Sequence, residues 1–369
     1  MLYDYTNFTK DFCKHSTSES LKNIQDAQSF NLVAISGVGI TYFLKYLESK
    51  SRDRFILVNT YEMPEFSKDA LYQQLVIKLG GLPAKDLQEN IQIAKKRINE
   101  LLSTQKNKLV IVFNRTDRLS RIIDQSLFDN LRFLRDQDRS RVVMIFVSSL
   151  PLMEKSTREV KDILTLFSKT VFFRPYDEAG LKEILSLNSS SPIIQSAITL
   201  SGGHHNLYNV LIRCQNLDNA LSDSMVELLI KDMYFSLDRK RRDELEKVAK
   251  RRKITEDEFL IGTGFVKRVS NHMETFTPLL SEYIKEETDT ILPVMEQRLF
   301  DVLCSHKGDL VEKETIFDQV WKEQDGIASE WSLNSLIYRL RNHAGFDKNR
   351  FVIKSAKKIG YILYDSFDE

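Results

Sequence analysis

The sequence is most informative at first for what it has little of. Three cysteines in 369 residues, Cys13, Cys214 and Cys304, are too few and too scattered for a disulfide framework or a four-ligand zinc site. They read as reduced thiols in a packed interior. Seven prolines and 13 glycines exclude a collagen-like, linker-like or low-complexity chain. Charge of one sign is missing too: 53 basic against 52 acidic residues leave a net charge of +1 and no global field to attract nucleic acid. Any nucleic-acid-binding face must be local. No run approaches the roughly 18 to 20 uncharged apolar residues of a membrane helix, and Met1 to Lys14 lacks an apolar signal core. A cytoplasmic protein with no membrane partner is expected. No tandem repeat of fixed period appears, which excludes a solenoid. Neither a Ser/His/Asp triad, nor a metal cluster, nor a catalytic carboxylate pair stands out.

What is present is a composition for folding, 42% hydrophobic and 28% charged. At about 150 residues per domain the length implies two to three domains. In the first third, short apolar runs alternate with longer helical patterns: Leu32 to Ile35, Phe55 to Val58, Leu109 to Phe113 and Val142 to Val147. These runs are continuous and rich in β-branched residues, as strands buried on both faces of a parallel sheet require. Between them, Asp69 to Leu79 and Asn90 to Leu102 read as helices, the second placing Ile91, Ala94, Ile98 and Leu101 on one face. The alternation predicts an α/β domain with helices on both sheet faces, and Val171 to Phe173 as one more strand. From Pro175 to about Leu237 the β signal disappears and a small helical unit is expected, broken at Gly202-Gly203. Asp238 to Lys253 is dense in charge and reads as a solvated helix face, with a phosphate-tracking surface as the alternative.

The strand at Leu32 to Ile35 runs into Ser36-Gly37-Val38-Gly39-Ile40-Thr41 and a helical pattern from Tyr42. Strand, glycine loop and helix start aim backbone N–H groups and a helix dipole at one point, the arrangement that cradles phosphate. Against the pattern G-x-x-x-x-G-K-[ST], Ala34 holds the first glycine position, Gly39 the second, Ile40 the lysine position and Thr41 the last. Ile40 cannot make the charge-assisted hydrogen bond that a lysine gives the β/γ-phosphates. At the end of the third strand, where an acid would hold Mg²⁺, stand Asn114 and Arg115, with Asp117 further on. Ser148 and Ser149 occupy the place of a γ-phosphate sensor.

The strand order, the loop and the helical unit after Phe173-Arg174-Pro175-Tyr176 resemble the AAA+/STAND superfamily, nearest to its archaeal-ATPase and origin-recognition branch. In that group the lid carries a Gly-Gly turn, matched here by Ser201-Gly202-Gly203-His204-His205-Asn206. There the turn often continues Asn-Pro-Arg toward the nucleotide, and His204 and His205 depart from it. The resemblance implies a P-loop scaffold that has lost its chemistry: no enzyme, no metal and no required cofactor. Gly37, Gly39, Ile40, Thr41, Asn114, Ser148 and His204 would line what remains of an ATP or ADP site.

The last region, Leu292 to Leu363, reads as three helices followed by two strands around Lys354-Ser355-Ala356-Lys357-Lys358-Ile359-Gly360, a winged helix-turn-helix. The helices are Glu296 to Leu303, Lys313 to Trp321 and Ser332 to Ala344, with a break at Gly308 to Val311. Leu333 to Arg341 and Lys357-Lys358-Ile359-Gly360-Tyr361 resemble the recognition helix and wing of OmpR/PhoB-type regulators. The resemblance implies that the third helix enters the major groove of double-stranded DNA. Trp331, Ser332, Asn334, Ser335, Tyr338, Arg339, Arg341 and Asn342 would then face bases and phosphates, and Lys354, Lys357 and Lys358 the backbone. Leu333, Leu336, Ile337 and Leu340 are expected core. Phe259 to Ile284 resembles the winged-helix unit that follows the lid in STAND and archaeal ATPases.

The expected fold class is therefore an α/β P-loop, AAA+-like domain (1–174) with a helical lid (175–237), followed by two winged-helix domains (238–290 and 291–369). The expected function is that of a non-catalytic regulator or assembly factor. Its front body would self-associate or dock a protein partner, and its C-terminal module would bind duplex DNA. Two alternatives stay open: an NTPase, active or completed in trans, within a defence or mobile-element complex, and a structural subunit whose winged helices bind only protein.

Overall fold

The structure is a computed structural model. It describes all residues except 1–12, 118–121, 123, 153–165, 167–168, 187–190, 215, 253–255, 271, 291, 293, 322–328, 344–345, 347–349, 357–358 and 366–369. The chain divides into two compact units, Met1–Leu280 and Ser281–Glu369.

In the first unit, five parallel strands form a sheet: β1 (Phe30–Ala34), β2 (Arg54–Asn59), β3 (Leu109–Asn114), β4 (Val142–Ser148) and β5 (Lys169–Phe173). Their order is β2-β3-β4-β1-β5. Every residue of β1, β3 and β4 is buried, as their continuous apolar runs require, while β2 and β5 at the edges mix exposed and buried positions. Helices α1 (Lys14–Gln25), α2 (Ile40–Lys50), α3 (Lys68–Lys78), α4 (Leu87–Thr104) and α5 (Gln125–Arg135) flank the sheet. One face packs Ile111, Phe113, Met144 and Phe146 against Leu71, Leu75, Ile98, Leu127 and Leu131 of α3 to α5. Each such fully buried side chain contributes roughly 2 kcal/mol. On the flank of β5 lies α1, which also touches α2.

The strand order places a switch point at β1. From β1 the chain leaves toward β2, on the far side of β4 and β3, whereas from β4 it leaves past β1 toward β5. In open parallel sheets the loops diverging at such a point leave a crevice beyond the strands' C-terminal ends. The glycine loop follows β1 directly into this position.

Beyond β5 come α6 (Glu178–Ile184), α7 (Pro192–Ser201), α8 (His205–Leu211) and α9 (Ser224–Phe235), with no strand among the described residues of the segment. A compact helix-helix-hairpin follows: α10 (Arg239–Ala249), α11 (Glu258–Gly262), β6 (Val266–Val269) and β7 (His272–Thr275). The charge-dense stretch is not simply a solvated face. Along α10, Arg241, Glu244, Leu245 and Val248 are buried. The Arg241 guanidinium lies 4.2 Å from the Phe259 ring centroid and 3.0 Å from Asp238. Packing of an arginine stem and a cation–π contact are invisible to a count of charges.

Helix α12 (Pro278–Thr290) contains the boundary between the two units, short of the 290/291 division expected. The second unit holds α13 (Val294–Ser305), β8 (Val311–Glu312), α14 (Lys313–Val320), α15 (Glu330–Asn342), β9 (Phe351–Ala356) and β10 (Gly360–Asp365). Its sheet has the order β8-β10-β9. The expected break at Gly308 to Val311 ends in β8, a strand of two residues that pairs with Gly360 and Tyr361. Two residues carry no periodicity for a sequence reading to catch. Leu299, Leu303, Ile316, Leu333, Leu336, Ile337, Leu340, Ile353 and Leu363 form the core, so the four expected core positions of the third helix are buried.

Candidate functional site

Two places carry the residues singled out above: the glycine loop of the first unit and the third helix with its wing in the second.

At the loop, Gly37 and Gly39 adopt φ of +82° and +96°, and α2 begins at Ile40 with Gly39 as its N-cap. Thr41 is exposed and Ile40 half-buried at the helix start. The far side of the loop is occupied by the Gly-Gly turn and the first residues of α8. His204 Nε2 lies 2.8 Å from the Ser36 carbonyl oxygen. The Asn206 backbone N–H donates to the Gly37 carbonyl at 3.1 Å. From the segment after β5, the Tyr176 hydroxyl donates to the Gly39 carbonyl at 2.8 Å. Three carbonyls of the loop are thus taken by groups of the lid and its connection. Contact is close enough that a methyl on Gly37 would lie 2.9 Å from Asn206 Nδ2, and one on Gly39 3.0 Å from His205 Cβ.

His204 is fully buried. Its Nδ1 accepts from the Leu207 N–H at 3.1 Å and so caps α8. That fixes the tautomer: Nδ1 is bare and Nε2–H donates to Ser36. Burial pushes the imidazole down to about 4, against the raising effect of the Ser36 carbonyl and with a small lowering effect from His205. Burial depresses His205 as well, and its ring sits 4.9 Å from that of Tyr42. The turn itself is held by backbone: Tyr176 N–H donates to the Gly203 carbonyl at 3.1 Å, and Thr277 Oγ1 donates to the Leu200 carbonyl at 2.5 Å.

The two remaining positions of the expected nucleotide site behave differently. Asn114 is buried at the end of β3, and its Oδ1 has no hydrogen-bond partner among the described residues. Ser148 is committed: its hydroxyl donates to the Leu150 carbonyl at 2.7 Å and accepts from Asn31 Nδ2 at 2.8 Å. Ser149 and Asp117 pair with one another, at 2.9 Å between side chains. Among the described residues no group of three or more His, Cys, Asp and Glu is arranged to hold a metal. Tyr176 and Asn206 were read as parts of the lid motifs but not as residues of the site, because nothing local marks residues that close on a loop well over a hundred positions away.

In the second unit, Ser329 caps α15 through a reciprocal pair of hydrogen bonds with Ser332, which places Ser332 in the cap. Trp331 and Tyr338 stand out from the helix, 79% and 69% exposed. Asn334 and Asn342 are exposed and Ser335 half-buried. These five positions, 331, 334, 335, 338 and 342, share one face. The two arginines are tied to the domain: Arg339 Nε lies 2.8 Å from the buried Glu296 carboxylate, and Arg341 donates to the Ile353 carbonyl at 2.7 Å. Tyr361 on the wing donates to Asn334 Oδ1 at 2.6 Å. Lys354 lies over the Tyr364 ring at 4.6 Å. Lys357 and Lys358 fall outside the described residues. Glu296, Ile353 and Tyr361, which hold the helix to its neighbours, carry no sequence signal of that role.

Residues 287–363 match the family described as transcriptional regulatory protein, C terminal. No curated protein matches the chain by sequence. Among solved structures, the chain is similar to the Orc1 protein of Aeropyrum pernix in complex with DNA, at 14% identity and a TM-score of 0.43, covering 99% of this chain and 91% of that one. It is similar to a Walker-type ATPase of Pyrococcus abyssi at 16% identity and a TM-score of 0.47, covering 75% and 96%. The Holliday junction branch migration motor RuvB of Thermotoga maritima gives 11% identity and a TM-score of 0.35, over 76% and 99%.

Proposed function

We propose that this chain, whose residues 287–363 belong with the C-terminal domains of transcriptional regulatory proteins, is a non-catalytic regulator or assembly factor that grips duplex DNA with that domain. The observation that carries the reading is the conjunction of family match and geometry: three helices, a wing, and an exposed third-helix face. A helix of this kind lies in the major groove, where base edges carry distinguishable donor and acceptor patterns. Phosphate contacts would come from the wing and from the ends of the helices.

DNA binding is tested by measuring affinity against salt. Each lost phosphate contact lowers the slope of log K against log salt by about 1, so the double variant Lys357→Ala, Lys358→Ala is expected to flatten it by about 1 to 2. An unaltered slope would remove the wing from the interface. Absence of salt-dependent duplex binding by the intact chain would favour the protein-docking alternative.

The front unit is read as an AAA+-like body without ATP turnover. Supporting this are Ile40 at the lysine position, Asn114 in place of a Mg²⁺-binding acid, and the lid residues seated on the loop carbonyls. A ligand that binds only the folded state raises the unfolding temperature by mass action. Millimolar Mg·ATP or Mg·ADP is therefore expected to leave the thermal midpoint within about 1 °C, which differential scanning fluorimetry measures. Hydrolysis of ATP by the purified chain, lost in Thr41→Ala, would reinstate the NTPase reading. Self-association or partner docking is the remaining role of this unit. Supporting it, Met225, Leu228 and Phe235 lie exposed along one face of α9, 53%, 53% and 43% accessible.

A further inference from the structure

The stripe of residues 331, 334, 335, 338 and 342 that α15 turns to solvent has an unusual chemistry for a DNA-reading helix, because it contains no cation. The helix carries no lysine, and its two arginines lie beside the stripe: Arg339, 58% exposed, pairs through Nε with Glu296, and Arg341 donates to the Ile353 carbonyl. Guanine in the major groove is read chiefly by a bidentate Arg or Lys on O6 and N7. Neither arginine is among the stripe positions 331, 334, 335, 338 and 342, which carry no cation.

The two asparagines of the stripe are each half committed, in opposite senses. Asn334 uses its Oδ1 to accept from Tyr361, which leaves the amide NH₂ as a donor. Asn342 uses its Nδ2 to donate to the Tyr338 carbonyl at 2.8 Å, which leaves Oδ1 as an acceptor. The face therefore presents amide donors and an amide acceptor, the Ser335 hydroxyl, and two large rings two turns apart, Trp331 and Tyr338, each apolar over its body with one polar N–H or O–H. In the major groove the apolar mark is the C5 methyl of thymine, and its partner adenine offers a donor and an acceptor side by side at N6 and N7.

Resting on the DNA-binding reading above, we infer that Trp331 and Tyr338 are specificity-determining residues that read thymine methyl groups, and that the preferred target is an A·T-rich major groove. Replacing either ring leaves the packing of the domain intact, since both side chains stand in solvent while Leu333, Leu336, Ile337 and Leu340 hold the helix.

The test uses the full chain and fluorescence anisotropy with four pools of 20-base-pair duplexes. These are random A·T only, the same pool with uracil in place of thymine, random G·C only, and the G·C pool with 5-methylcytosine. The A·T pool is expected to bind about 10-fold more tightly than the G·C pool. Uracil substitution removes only the methyl and is expected to cost about 5-fold, and 5-methylcytosine to regain part of that loss. In Trp331→Ala and Tyr338→Ala the difference between thymine and uracil should shrink, with the salt slope unchanged. Equal binding of thymine and uracil duplexes, or a preference for G·C, would overturn the inference while leaving DNA binding in place. Failure to bind any pool would remove both, and only that outcome removes the underlying reading.

Discussion

Gly203→Ala is expected to destabilise the first unit by at least about 3 kcal/mol, the largest effect of any single substitution proposed for it. Two physical causes add. Gly203 has φ of +84°, in the left-handed region where a side chain costs about 1 kcal/mol. Its added methyl would also come within 1.7 Å of the Tyr176 carbonyl oxygen, a backbone atom with no rotamer by which to withdraw. Relief requires the Gly-Gly turn and the β5 exit to separate, which breaks the Tyr176 N–H bond to Gly203. Gly308 supplies the control. Its φ is +85°, yet nothing lies within 4 Å of a methyl there, so Gly308→Ala should show the conformational cost alone. Calorimetric unfolding of the two variants separates clash from conformation. Comparable losses would mean that the turn does not sit tightly on Tyr176.

Acid should weaken the same region through His204. Its folded-state value of about 4 lies below the ordinary 6.5 of an unfolded histidine. Above pH 6.5 the imidazole is neutral in both states and stability is insensitive to it. Between pH 6.5 and 4 the unfolded chain takes up a proton that the folded chain refuses, so stability falls by up to about 1.4 kcal/mol per pH unit. Over the window the loss amounts to about 3 kcal/mol, and His205, also depressed, acts in the same direction. The cause is specific. Protonating Nδ1 would forfeit the Leu207 cap as well as bury a charge. Denaturant titrations from pH 7 to 4 should give His204→Gln a shallower acid limb than the parent chain. Parallel curves would place the acid sensitivity elsewhere.

How far the molecule was legible in its sequence depended on whether a signal was local. The central strands announced themselves because burial on both faces forces an unbroken apolar run, as in Leu109 to Phe113. The glycine loop and the Gly-Gly turn could be read because positive φ selects a residue type. That the two meet was implied only through the family resemblance, while the particular bond of His204 to the Ser36 carbonyl carries no local signal and depends on the whole intervening chain folding first. Likewise, the sequence offered Arg339 and Arg341 as cations for DNA without revealing Glu296 and Ile353 as their partners. The burial of Arg241 on Phe259 was hidden inside a run that looked wholly solvated.

The tie between Tyr361 and Asn334 and that between Arg341 and Ile353 join the wing strands to the third helix at two points, while Arg350 and Lys307 hold the buried Asp365 at the end of β10. The described wing strands are thereby fixed to the third helix. Under the DNA-binding reading proposed above, the conformational entropy of these contacts is given up during folding rather than on meeting a duplex. On that reading, encounter demands orientation at these contacts, and variation in affinity between targets should arise mainly from how long the complex lasts.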